Sequence, residues 1–133
     1  MTVYVFGNED VDLDTRAILV ARKLGQDLPN IKFVMTKPNE DLPFDNKQDV
    51  IIMDVVDGLS EVKLIEDAEL EKVILPPRTT AHDFDLGFQL KYLKKLGKLG
   101  RVTLIGLPMH GEIDYSRIHS IFKKLVAQDI QGS

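Results

Sequence analysis

Val50-Ile51-Ile52-Met53-Asp54-Val55-Val56, followed by Asp57-Gly58, is the stretch that decides the fold. Six of its seven residues are apolar and five are β-branched. The run is too short for an ordinary helix and shows no polar alternation. An unbroken apolar strand of this kind, closed by an Asp-Gly turn, reads as a central strand covered on both faces. Asp54 is its anomaly. An ionised carboxylate without a partner costs several kcal/mol in such a setting. Asp54 therefore needs a partner, a proton, or a place at the open end of the strand.

On the N-terminal side, Val3-Tyr4-Val5-Phe6 is a second apolar run, ending at the turn signal Gly7-Asn8. A helix is expected from about Thr15 to Leu24, with Ala17, Val20, Ala21 and Leu24 at i, i+3, i+4, i+7 spacing. Asp14 stands where its N-cap belongs and Gly25 where a C′ residue belongs. Ile31–Met35 reads as the next strand, and Pro38, Asn39 and Pro43 mark a loop. On the C-terminal side, Glu61–Glu66 is a further candidate strand, Glu66–Lys72 a short helical turn, and Val73–Pro77 an extended piece stopped by two prolines. A helix is expected over 84–97, with Leu86, Leu90 and Leu93 on one face. Val102–Pro108 is another buried strand, and a last helix runs from about Asp114 to Ala127 with Ile118, Ile121, Phe122 and Leu125 inward. Strands alternating with helices give an α/β fold with a mostly parallel sheet. No repeat or linker divides the chain, so residues 1–133 read as one domain.

The composition narrows the function. With 17 Lys and Arg against 21 Asp and Glu, the net charge is −4, which argues against the basic face of a general nucleic-acid binder. The absence of cysteine excludes disulfides, thiolate metal sites and a cysteine nucleophile. No apolar run approaches the ~20 residues of a membrane span. Met1–Asp10 carries no basic n-region and no small-residue cleavage site, so a cytoplasmic location is the expectation.

In α/β sheets ligands bind outside the carboxyl ends of the strands. Four acids, Glu9, Asp10, Asp12 and Asp14, crowd the first such end. They open like a calcium loop, but the sixth and twelfth positions, which need Gly and Glu, hold Thr15 and Ala21. Glu9, Asp10 and Asp12 are read as a solvated acidic turn. Asp14 suits either a helix cap or a ligand. Asp54 closes the central strand, and His82 precedes the helix expected at 84–97, which places it at the same sheet end. His110 and His119 are left outside the site. One imidazole and two carboxylates form a three-ligand site with open positions, tolerated by zinc, nickel, iron and manganese alike.

Gly7-Asn8 with its acids after the first strand, VIIMDVVDG at 50–58, TTAHDFDLGFQLKYL at 79–93 and VTLIGLP at 102–108 occur in a fixed order. In this the chain resembles the hydrogenase maturation protease family, which removes the C-terminal extension of the large subunit of nickel–iron hydrogenases. The resemblance implies a three-layer α/β/α sandwich of about five strands and a metal-dependent endopeptidase. It also implies that Asp14, Asp54 and His82 hold a metal and recognise nickel, borne by the precursor or bound at the site, with another divalent metal as an alternative. The partner implied is the hydrogenase large-subunit precursor.

The match is not uniform. Leu13 and Thr15 stand where the family's first motif has an acid and a glycine, and Met35–Asp45 has no glycine where the family carries a glycine-rich stretch. A non-catalytic relative that binds a hydrogenase-like partner is therefore the second reading. A receiver-like domain with Asp54 as phospho-acceptor is the third. It lacks the lysine such domains resemble one another in having at the end of the fifth strand.

Overall fold

The computed structural model describes residues 1–7, 12–36, 49–73 and 100–132. These form strands β1 (Thr2–Phe6), β2 (Lys32–Thr36), β3 (Val50–Val56), β4 (Lys63–Ile65) and β5 (Val102–Pro108), and helices α1 (Asp12–Asp27) and α2 (Tyr115–Gly132). A 3₁₀ segment spans Asp67–Lys72. The strands make one sheet in the order β2-β1-β3-β5-β4. β1 pairs in parallel with β2 and β3, and β3 with β5; β4 runs antiparallel to β5 at the edge. This is the expected α/β fold with a five-stranded, mostly parallel sheet, and the apolar run 50–56 is its middle strand.

Period two sorts each strand onto two faces. Val3, Val5, Met53, Val55, Ile105 and Leu107 pack on one face beneath α1 and α2, which contribute Ala17, Leu24, Ile118 and Phe122 among others. The other face carries Phe6, Val50, Ile52, Val56, Val102 and Leu104, with Ile65 and Leu70. Phe6, Ile52 and Leu104 there are fully buried, so both faces of the sheet are covered. The helix expected over 84–97 lies outside the described residues.

The two helices lie side by side. Lys23 stands 4.8 Å over the Tyr115 ring, and Asp27 is 3.4 Å from His119. Each pair steps four residues along both helices in the same direction, so α1 and α2 run parallel. Each of them follows a strand of the parallel ladder, β1 and β5, which accounts for this. Phe33 of β2 meets Phe122 of α2 edge to face, with centroids 5.7 Å apart.

The helix ends differ in part from expectation. α1 begins at Asp12, so Asp14 lies within its first turn and is not the cap. It continues through Gly25 to Asp27. The stop is supplied by Pro29, which disfavours helical backbone at Leu28. Half-buried Leu28, four residues after Leu24, extends the apolar stripe and outweighs the ~1 kcal/mol cost of an internal glycine. α2 starts where expected but runs on past Ala127 to Gly132; at its start Asp114 Oδ1 accepts the Arg117 N–H at 3.1 Å, and the Asp114 carbonyl accepts the Ile118 N–H at 3.2 Å. That is N-cap geometry.

Candidate active site

From β1 the chain passes to β2 on one side, whereas β3 and β5 continue on the other. The order therefore reverses between β1 and β3, the place where open α/β sheets form a ligand crevice. The pairing shows the crevice opening. β1 and β3 are in register at Tyr4↔Ile52 and Val5↔Met53. The β3–β5 register runs further, to Val56↔Pro108. Beyond Phe6, β1 turns toward β2, with the Gly7 N–H donating to the Thr36 carbonyl at 3.2 Å.

Asp54 is the first residue of β3 past that point. It is 0% exposed. Its Oδ1 accepts the N–H of Val55 at 2.8 Å, so the carboxylate takes up a backbone donor where the β1–β3 register ends. Period two sets Asp54 on the face of Ile52 and Val56. Its neighbour across the β3–β5 ladder is Gly106. A Cβ on Gly106 would lie 2.8 Å from Leu59 Cδ1 and 3.0 Å from Val56 Cγ2, so these apolar groups close over the glycine beside the carboxylate.

Two arginines tie the loops at this end of the sheet. Arg16, in the second turn of α1, donates to the carbonyl of Gly111 in the loop after β5. Arg117 Nε donates to the carbonyl of Val62, just before β4. Gly58 and Gly111, in the turns after β3 and β5, have φ of 87° and 85°, backbone that an L side chain rarely adopts. A cleft of about 220 Å³ opens past the end of β3, between the Asp57-Gly58 turn, β4 and the 3₁₀ segment.

Of the three expected site residues, Asp54 is buried near the carboxyl end of the central strand. Asp14 lies in the first turn of the helix that follows β1, hence toward the same end of the sheet; its side chain is outside the described set. His82 also lies outside the described residues. Among the described residues, no group of three or more His, Cys, Asp or Glu side chains could hold a metal ion. A carboxylate oxygen, the donor type of Asp54, is a ligand that divalent cations accept. Sequence reasoning passed over Gly106, Arg16 and the cleft. The signal for Gly106 was a glycine in the middle of an apolar strand, which marks a close approach of other groups.

No family model matches the chain, and no curated protein matches it in sequence. Solved structures do match it in shape. The hydrogenase maturating endopeptidase HybD from E. coli superimposes with a TM-score of 0.60 at 15% identity, over 100% of this chain and 94% of that one. The solution structure of an endopeptidase from Escherichia coli gives 0.53 at 17% identity, over 96% and 91%. The chain has the fold of a hydrogenase maturating endopeptidase. At such identities the likeness is one of fold. That fold also separates the chain from receiver-like domains, whose strand order is 2-1-3-4-5. Here the edge position next to β5 is taken by the antiparallel β4.

Proposed function

We propose that this chain is a cytoplasmic metal-dependent endopeptidase that removes the C-terminal extension of a nickel–iron hydrogenase large-subunit precursor. The observation that carries the reading is Asp54: a fully buried carboxylate at the switch point of a sheet whose solved likenesses are endopeptidases. A buried carboxylate is costly unless its charge is offset, and a switch point is where open α/β sheets bind ligands, which supports a functional use of Asp54.

In this reading Asp14, Asp54 and His82 are the residues that hold the divalent ion, with nickel arriving on the precursor as part of the substrate. The ion would supply Lewis-acid polarisation of the scissile carbonyl or of a water. The chain's own contribution is positional. The Val55 N–H holds one carboxylate oxygen of Asp54 in place, and the covered faces of the sheet keep bulk water from that side chain. The Arg16–Gly111 bond fixes the start of α1, and so the backbone of Asp14, against the loop after β5.

The test is incubation of the purified protein with nickel-loaded precursor, read by mass spectrometry for a shortened C-terminus. Cleavage that is lost in Asp54→Asn and in His82→Ala supports the reading; normal processing by both variants removes it. The glycine-free segment Met35–Asp45 favours a second reading, a non-catalytic relative that binds a hydrogenase-like partner. Binding of precursor with no cleavage under any metal would establish that one instead.

A further inference from the structure

We propose that the cleft beyond β3 is a side-chain pocket for an extended peptide, taking an apolar side chain on its floor and a neighbouring acidic side chain on Lys63 and Lys72. This rests on the endopeptidase reading and specifies the kind of sequence that the site selects.

Size and lining argue for this occupant. At about 220 Å³ the cleft is smaller than the roughly 300–1,000 Å³ of small-molecule sites, yet it admits a side chain from a chain lying across it. Val56, Leu59, Ile65 and Val73 line it with apolar surface. The same lining includes Lys63, Glu69 and Lys72 on the side of β4 and the 3₁₀ segment, and Asp57 at the β3 turn.

Position argues for it as well. Val56 follows Asp54 by two residues on the same face of β3, a separation of about 7 Å along a strand. An extended peptide has the same rise, so a bond held near Asp54 carries a side chain two residues away over Val56. Val56 lines the cleft, which therefore begins two residues beyond Asp54.

Charge selects the neighbour. Lys63 Nζ lies 4.0 Å from Glu69 Oε2, the outer limit of an ion pair, and both side chains are about half exposed (52% and 55%). Lys72 is exposed and has no ion-pair partner among the described residues. A carboxylate from a bound peptide gives Lys72 a partner and competes with Glu69 for Lys63. The negative charge of Asp57, next to Val56 in sequence, disfavours an acid at the Asp54 end and so sets the direction.

The probes are fluorescein-labelled heptapeptides of glycine and alanine carrying a central Leu-Glu, Leu-Lys or Ser-Glu pair, with binding read by fluorescence anisotropy. Leu-Glu is expected to bind about tenfold tighter than Leu-Lys, a preference that shrinks in high salt. The Lys63→Glu/Lys72→Glu variant reverses the order, and Lys72→Glu alone, at an exposed position, reduces it. Equal binding of the three peptides, or a Leu-Glu preference unchanged in both variants, overturns the pocket. Precursor processing separates the two claims. A protein that discriminates the peptides but never shortens the precursor keeps the pocket and loses the endopeptidase. One that processes precursor with unchanged KM in Lys72→Glu, and shows no peptide preference, loses the pocket and keeps the endopeptidase.

Discussion

Asp54 lies directly across the β3–β5 ladder from Gly106, and Gly106 is a position at which the sheet has no room for a side chain. A Cβ there would meet Leu59 Cδ1 at 2.8 Å, Val56 Cγ2 at 3.0 Å and Ile65 Cδ1 at 3.2 Å. The leucine end can swing away; the branched valine on a central strand has little freedom. Gly106→Ala is therefore expected to destabilise by about 1–3 kcal/mol, the usual cost of overpacking. Urea unfolding of the two proteins measures it. A midpoint equal to that of the parent would show that the close approach beside Asp54 is not tight.

The charge and the shape of Asp54 separate through two substitutions. Asparagine keeps an oxygen that can accept the Val55 N–H but removes the negative charge. Asp54→Asn should leave the thermal midpoint unchanged or raise it, while processing falls to background. Alanine removes the acceptor and leaves a buried donor unpaired, so Asp54→Ala should cost about 1–3 kcal/mol. The contrast between the two melting curves is the readout. Equal destabilisation by both would mean that the charge itself holds the fold.

Much of this was open to inspection in the sequence, and the failures have physical causes. The run 50–56 announced a central strand because burial on both faces leaves no polar alternation. Asp54 stood out against it as a lone charge. The partner of β4 was not legible: three residues carry little periodicity, and β4 pairs with a strand about forty positions later. The same distance hides Asp67, whose carboxylate accepts the Val102 N–H at 3.1 Å and ties the 3₁₀ segment to the start of β5. Gly25 misled because local glycine chemistry competes with the tertiary burial of Leu24 and Leu28, and burial won. Asp14 was expected as a cap because it precedes the apolar stripe, but the helix starts a half-turn earlier, before its apolar face begins.

Asp114 offers a direct check on the α2 cap. Its side-chain oxygen accepts the N–H of Arg117, and an asparagine can do the same. Asp114→Ala is expected to cost about 1 kcal/mol and Asp114→Asn only a few tenths. Both are read from the shift in urea midpoint at constant slope. Equal and negligible shifts would show that the cap contributes nothing to α2.

Arg16 should matter more to activity than to stability. It joins the second turn of α1 to the Gly111 carbonyl, 95 residues away in sequence, and the first turn of that helix carries Asp14. The bond sits at an exposed position, so its loss should cost no more than about 1 kcal/mol. Arg16→Ala frees the helix start from the loop after β5, and the site then depends on an Asp14 that is no longer held in register with Asp54. Processing of the precursor should fall by about tenfold through kcat, since small misplacements of a positioned group are costly even far from the reacting atoms. Arg16→Lys can still donate to the carbonyl and should recover part of the rate. An unaltered kcat in Arg16→Ala, with the fold intact, would mean that α1 finds its place without this strap and that the position of Asp14 is set by helix packing alone.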